Sequence, residues 1–397
     1  MIKRDQYLQA LIHAMGNGYV KIITGVRRCG KSYLLNTIFY EYLLTHGIDK
    51  KHIIRFAFDS VQDLSKMGEN PLQLAKEKRL ADPVKFMAFL QSQIQDNRTY
   101  YLLLDEVQEL GSFETVLNAC LRQDNFDVFV TGSNAKFLSK DIITEFAGRG
   151  DQISMQPLSF AEFMSCYAGD KYEGLTEYML HGGLPQIVLE PEIRKKKALL
   201  ASLFQEIYIR DIEQRNHLRH GDDLQDILDV LSSSIGSFSN PEKIANTLKS
   251  TKKSSISSPT VKKYIGFLED SFLVSGCCQY NIKGRKYIGS SKKYYICDTG
   301  LRNVRLNFRQ FEQTHIMENV IYNELLRRGY SVDVGMVEIY DKNATGANIR
   351  KKLEVDFVCN NGTERLYLQS AFSIPDEQKR QQEIRPYRHI ADSFKKV

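Results

Sequence analysis

Eight residues near the start of the chain, Gly25-Val26-Arg27-Arg28-Cys29-Gly30-Lys31-Ser32, have the spacing GxxxxGK[ST]. The chemistry that needs this spacing is the holding of a triphosphate. Glycines let backbone N–H groups curl round phosphate oxygens where a Cβ would clash, a lysine reaches the β- and γ-phosphates, and a hydroxyl ligates Mg2+. On this reading Gly25, Arg28, Cys29, Gly30, Lys31, Ser32 and Tyr33 line the nucleotide, Lys31 also serves the reaction, and Ser32 is a metal ligand. Arg27 and Arg28 either touch phosphate or face solvent. A second string, Tyr101-Leu102-Leu103-Leu104-Asp105-Glu106, is an apolar run ending in two acids. A strand of this kind delivers Asp105 to its carboxyl end, where it holds Mg2+ through water, and Glu106 is placed to polarise an attacking water. A third run ends in Thr131-Gly132-Ser133-Asn134, where Asn134 is the candidate for orienting that water; the plain alternative is a turn. Arg149, in Gly148-Arg149-Gly150, is a candidate γ-phosphate contact, in cis or from a neighbouring subunit, or else a surface arginine. No Asn-Lys-x-Asp string is present to read guanine, so the expected cofactors are ATP and Mg2+.

Such groups need a rigid scaffold. Residues 19–24, 53–58, 100–104 and 126–131 read as strands, and an amphipathic helix pattern runs from Lys31 to about Leu44. Strands alternating with helices argue for an α/β fold with a parallel sheet covered on both faces, and the helix starting at the loop turns its positive end towards the phosphates. Beyond residue 150 the pattern changes. Residues 157–235 read as helical, broken at His181-Gly182-Gly183-Leu184-Pro185; residues 236–290 as helix, helix and hairpin; and a helix from Gln313 precedes several strands. The expected division is a P-loop ATPase domain at 1–165, a helical domain at 166–235, a helix-helix-hairpin, winged-helix-like domain at 236–295 and a separate α/β module at 296–397.

Taken together these strings resemble the bacterial and archaeal AAA-type P-loop ATPases that carry a C-terminal domain of unknown function 4143. The resemblance rests on the loop at 25–32, on Leu104-Asp105-Glu106-Val107-Gln108 and on Thr131-Gly132-Ser133-Asn134-Ala135. Gly148-Arg149, Pro157-Leu158-Ser159-Phe160-Ala161-Glu162-Phe163 and Gly182-Gly183-Leu184-Pro185 extend it over nearly the whole chain. It implies an AAA-like core, a winged-helix segment and a restriction-endonuclease-like α/β fold at the C-terminus.

Charge is unevenly placed. From Asn240 to Lys293 there are eleven Lys and Arg against three acids, an excess of eight where the whole chain has +6. A basic face of this kind attracts polyanions, so DNA is a candidate partner, a protein partner another, and oligomerisation is compatible with both. Within this stretch Ser258 reads as a helix cap and Pro259 as its first turn, with Val261, Tyr264, Ile265 and Leu268 on one apolar face. Asn281-Ile282-Lys283-Gly284 then reads as the turn of a hairpin.

Near the C-terminus, Glu354 and Asp356 share one face of a strand, Asn360-Asn361-Gly362 marks a hairpin turn, and the returning strand at 365–372 aligns Tyr367, Gln369 and Ala371. A metal-dependent nuclease of the implied fold takes a helix Glu, a strand Asp and then Glu-x-Lys. Glu318 and Asp356 match, but Gln369 and Ala371 stand where the acid and lysine belong, with Lys379 a candidate to move in. The module is therefore expected to bind rather than to cut.

Hydrophobic residues make up 42% and charged residues 26%, a soluble globular balance for a chain of 397 residues, long enough for two to four domains. There is no run of eighteen apolar residues and no secretory segment, and the seven cysteines form no CxxC pair, which reads as reduced thiols in the cytoplasm and no membrane. The leading function is an ATP-hydrolysing switch that couples nucleotide state to partner or nucleic-acid binding. The alternatives are a non-hydrolysing, ATP-bound scaffold, a small-molecule kinase, for which no acceptor site is recognisable, and an active DNA nuclease.

Overall fold

The computed structural model describes residues 2–132, 148–218, 221–342 and 348–397. They fall into two compact units, Met1–Met155 and Gln156–Val397. The first is built on a five-stranded sheet of β1 (Val20–Thr24), β2 (Ile53–Ala57), β3 (Tyr100–Asp105), β4 (Phe126–Thr131) and β5 (Gly150–Ser154), in the order β2-β3-β4-β1-β5. Every pairing is parallel. Parallel strands need helical crossovers on both faces, which is why β1, β3 and β4 are near-continuous apolar runs rather than alternating ones. Because all five strands run the same way, the residues just after β1, β2, β3 and β4 gather along one edge of the sheet.

Two features of this unit are invisible in strand periodicity. Lys21, in the middle of β1, is fully buried and ion-paired with Asp127 of β4, with its ammonium 5.0 Å from the Phe129 ring centre. The helix expected from Lys31 is present but widens: helical turns at Lys31–Tyr33 give way to π-type hydrogen bonds over Leu34–Phe39 before closing again at Tyr40–Thr45. Segments of that kind recur at functional sites because they re-aim side chains. On one face the Pro83–Gln93 helix, capped by Asp82, packs Phe86 edge-on against Phe56 and Phe58, with ring centres 5.2 and 4.9 Å apart.

The second unit carries helices and a seven-stranded mixed sheet, ordered β12-β11-β10-β9-β7-β8-β6. Its strands are β6 (Phe238–Ser239), β7 (Val274–Asn281), β8 (Lys286–Ile296), β9 (Ser331–Lys342), β10 (Asn348–Asn361), β11 (Glu364–Leu368) and β12 (Lys395–Lys396). The Pro241–Lys252 and Ser258–Asp270 helices precede the β7–β8 hairpin, as the sequence order implies. Val261, Tyr264, Ile265 and Leu268 are all buried, and the cap is Ser257, whose hydroxyl accepts the Thr260 N–H, rather than Ser258. The hairpin joins the C-terminal strands in one sheet through parallel pairing of β7 with β9, so residue 295 lies inside a strand.

The returning strand is shorter than expected. β11 ends at Leu368: the Gln369 N–H still extends the pairing with the β12 side through the Val397 carbonyl, and the Ser370 N–H is taken by the Asp356 carboxylate. Gly182-Gly183-Leu184-Pro185 wraps the buried Asp298, whose carboxylate accepts the Gly183 N–H at 2.7 Å and the Leu301 N–H at 3.1 Å. All seven cysteines are free. Among the described residues no helix is long and apolar enough to cross a membrane.

Candidate nucleotide site

The loop after β1 is held open by its own backbone. Gly25 has φ +142°, and a Cβ added there would lie 2.0 Å from the Met155 carbonyl oxygen, so a side chain is both strained and blocked. Gly30 has φ +104° and starts the helix that carries Lys31. The far wall is the end of β5: the Met155 N–H donates to the Thr24 carbonyl at 2.7 Å, and the buried Cys29 Sγ lies 3.6 Å from the Met155 carbonyl. Lys31 is buried, and its ammonium donates back to the loop carbonyls of Gly25 at 2.9 Å and Val26 at 3.1 Å. Arg28, at φ +64°, Ser32 and Tyr33 are exposed at the mouth.

Asp105, at the end of β3, faces this loop from two strands away. Its carboxylate accepts the Ser32 hydroxyl at 3.1 Å and the Thr131 hydroxyl on one oxygen, and the Asn36 amide at 3.2 Å on the other. Burial raises the Asp105 pKa, the Thr131 and Ser32 bonds oppose the rise, and the Glu106 and Asp59 charges add to it. Glu106 sits in the left-handed region at φ 49°, its N–H held by the Thr131 oxygen at 3.0 Å and its carboxylate by the Gln108 amide. Asp59, two residues past β2, completes an acidic rim; partial burial raises its pKa first and Glu106 second, and Arg27 draws it down.

Lys31, Ser32, Asp105 and Glu106 are thus brought together as the sequence predicts. Mg2+ takes one or two carboxylates plus phosphate oxygens and water, and the Ser32–Asp105 pair matches that donor set. Sequence reasoning misses Asn36, Asp59, Gln108 and the Thr131 hydroxyl. Asn36 carries a signal, since it lies four residues after Ser32 on the same helix face. Asp59 carries one too, since it follows the carboxyl end of a parallel strand.

Thr131 ties the two acids to each other. Removing its hydroxyl takes away a bond to a buried carboxylate and another to the Glu106 main chain, and bonds to charged groups contribute about 1.5–3 kcal/mol. Thr131→Val is expected to slow nucleotide hydrolysis at this site about tenfold and, because it leaves a buried carboxylate short of a donor, to lower the melting temperature by a few degrees. Turnover equal to wild type in a phosphate-release assay would remove Thr131 from the site.

Two other expected residues remain, Asn134 and Arg149. Asn134 lies outside the described residues. Arg149 is placed at the opposite end of the sheet: its carbonyl accepts the Val20 N–H at 3.0 Å, where β1 begins, whereas the loop follows where β1 ends. Four residue steps along a strand span roughly 13 Å, more than an arginine side chain covers, so the expected contact in cis is corrected. Arg149 instead lines a cleft with Asn118 and Arg122.

In the second unit Glu318, Glu354 and Asp356 do converge, but around a lysine that belongs, in sequence, to the basic run between Asn240 and Lys293. The Lys293 ammonium lies 2.8 Å from Glu318 and 2.5 Å from Glu354, and the Tyr295 hydroxyl donates to Glu318 at 2.6 Å. Burial pulls the Lys293 pKa down, and the two carboxylates more than reverse this. Gln369 donates to Glu383 at 3.1 Å, and Lys379 pairs with Glu383 at 2.5 Å. Among the described residues no group of three or more His, Cys, Asp or Glu is placed to hold a metal ion.

Burial, and after it the Glu318 charge, push the Asp356 pKa up to about 7. A carboxyl whose folded pKa is raised loses stability as pH climbs from the unfolded value, near 4, through the folded one. Asp356→Asn has no such loss, so its melting temperature relative to wild type is expected to rise between pH 5 and pH 7 and to level off above that. A constant difference across that window would contradict the assignment.

Comparison with known proteins gives two family matches. Residues 17–164 match a family described as an AAA domain, and residues 172–312 one described as a domain of unknown function (DUF8612). The second stands in place of the domain 4143 that the resemblance implied, so the nuclease-like fold that came with it loses its footing. An uncharacterized protein of Haemophilus influenzae is 34% identical over 403 residues, covering 100% of this chain and 92% of that one. An uncharacterized protein of Methanocaldococcus jannaschii is 26% identical over 392 residues, covering 95% and 79%. The crystal structure of Cdc6p from Pyrobaculum aerophilum is 12% identical, covers 80% of this chain and 94% of that one, and has a TM-score of 0.33, a likeness too slight to argue from.

Proposed function

This chain belongs to the same family as the Haemophilus influenzae protein, with an AAA domain at residues 17–164, and on that premise we propose that it binds Mg-ATP and hydrolyses the β–γ bond as a molecular switch. The observation that carries this reading is the meeting of Ser32 with Asp105 at 3.1 Å, beside Lys31 and Glu106, at one edge of a parallel sheet. Gly25, Arg28, Cys29, Gly30 and Tyr33 form the loop around the phosphates. Lys31 meets the β- and γ-oxygens, and Ser32 and Asp105 hold Mg2+. The metal, when bound, neutralises charge on the phosphate oxygens. Glu106 takes the proton of the attacking water, held in place by Thr131 and Gln108. Glu106 is also what favours hydrolysis over a scaffold role, since a purely structural site has no use for a water-polarising acid. Arg149, if it meets a γ-phosphate, meets that of a neighbouring copy.

A second reading concerns the partner. Lys252, Lys292 and Lys293 are ion-paired within the fold, while Lys249, Lys253, Lys262, Lys263, Arg285 and Lys286 are exposed on a helix, helix and hairpin in winged-helix order. That surface supports contact with nucleic-acid phosphates.

The test of the main reading is calorimetry with Mg-ATP and Mg-GTP, followed by phosphate release with and without EDTA. Saturable heat for ATP, weaker heat for GTP, and release abolished by EDTA are expected. Absence of any heat with folded protein would overturn nucleotide binding, and heat without release would leave the scaffold reading in its place.

A further inference from the structure

One outer edge of the first unit's sheet is β2, which pairs only with β3 among the described residues. Beside it runs an open cleft of about 540 Å3 whose cations are Lys50, Lys51, Arg55 and Lys66, with Ile53 and Phe89 along its floor and no carboxylate in its lining. Asp63 binds the Ala57 N–H at 3.0 Å and the Lys66 ammonium at 2.6 Å; Lys50 and Lys51 are exposed and have no ion pair among the described residues. The Phe58 N–H goes inward to Asp105 at 3.1 Å, so by alternation the main chain of Arg55 faces outward. On either side of it the edge is already closed, the Ile53 N–H by Lys50 and the Ala57 N–H by Asp63.

Arg55 also points to the nucleotide site. Its guanidinium lies 4.0 Å over the Tyr40 ring and donates to the Asn36 carbonyl at 3.1 Å, and the Asn36 amide donates to Asp105 at 3.2 Å. Two hydrogen bonds therefore separate Arg55, in the wall of the cleft, from the proposed magnesium-holding carboxylate, through the widened part of the helix.

We propose that this cleft docks an acidic polypeptide segment, and that Arg55 links its occupancy to the nucleotide site through Asn36 and Asp105. Lys50 and Lys51, exposed and without an ion pair among the described residues, select an anion, and the one stretch of outward main chain left open, at Arg55, gives an extended peptide a backbone contact beside them. Single-stranded nucleic acid stacks its bases on exposed aromatic rings. The cleft offers only Phe89, which is packed against Phe56 and Phe86 with ring centres 5.3 and 6.3 Å apart. The link rests on the nucleotide reading; the docking does not.

The experiment is fluorescence anisotropy on the full chain with a fluorescein-labelled ten-residue peptide of alternating Glu and Thr, and with a labelled single-stranded DNA of about the same charge. The peptide is expected to bind and to weaken with added salt. The double variant K50E/K51E, and separately K66E should the first fold poorly, is expected to lose at least tenfold in peptide affinity with Mg-ATP affinity unchanged. Saturating Mg-ATP is expected to change peptide affinity severalfold in wild type and not in R55A. Absent peptide binding, or equal binding by the variants, overturns the docking, as does DNA binding that K50E/K51E abolishes where the peptide fails to bind. The same Mg-ATP response in R55A overturns the link. Peptide binding that behaves as stated in a protein that takes up no ATP upholds the docking and refutes the nucleotide reading instead.

Discussion

Replacing Lys31 with methionine is expected to weaken Mg-ATP binding at least a hundredfold while leaving the fold intact. The ammonium is buried at the mouth of the loop and satisfied by two carbonyls, those of Gly25 and Val26. Phosphate oxygens are stronger acceptors than these carbonyls because they carry charge. Each charge-assisted bond contributes about 1.5–3 kcal/mol, and a lysine bridging the β- and γ-phosphates makes two. At about 1.4 kcal/mol per tenfold, even the lower figure gives a factor of roughly a hundred. Methionine keeps the apolar stem in its slot, so a loss of affinity with an unchanged melting temperature reports the charge rather than the packing. Equal calorimetric affinities for variant and wild type would mean that the loop does not hold a triphosphate.

The second large effect is expected at Glu106. General-base catalysis by a positioned side chain contributes about 10²–10⁴ in rate, so Glu106→Gln should lower turnover by that much with ATP affinity within a few-fold of wild type. Glutamine matches glutamate in shape, and the left-handed backbone at φ 49° with its N–H on Thr131 is already present in the wild type, so the change removes basicity and little else. The combination of retained binding and lost turnover separates this residue from Lys31, whose replacement removes both. If Glu106→Gln hydrolyses ATP at the wild-type rate, the water is activated elsewhere, and Asp59, the other acid on the rim, becomes the group to change.

Lys31 and Glu106 are both legible in the amino-acid sequence. A phosphate loop is a local object: glycine spacing, a lysine and a hydroxyl within eight residues state its chemistry without reference to the rest of the chain. The same holds for the apolar run ending at Asp105 and Glu106, and for the helix face of Val261, Tyr264, Ile265 and Leu268, because backbone periodicity decides which residues share a face. Strand order is not local. Thr131 reaches both acids only because β4 lies between β3 and β1, and nothing in the composition of either strand says which will be its neighbour.

The misplacement of Arg149 has the same root. Its distance from the loop along the chain is compatible with either end of the sheet, and its position at the start of β5, parallel to the start of β1, sends it to the far one. Lys292 and Lys293 make the point within two residues. They look alike in sequence, yet alternation along β8 turns one towards Glu269 near the surface and buries the other between the carboxylates of Glu318 and Glu354. Sequence alone therefore determined the presence of the phosphate loop, its acidic strand and the alternating strand-and-helix order of the first unit, since short-range geometry encodes each of them. The tertiary structure decided which side chains complete that site and which charges are withdrawn from solvent, since those depend on contacts between segments that no local pattern specifies.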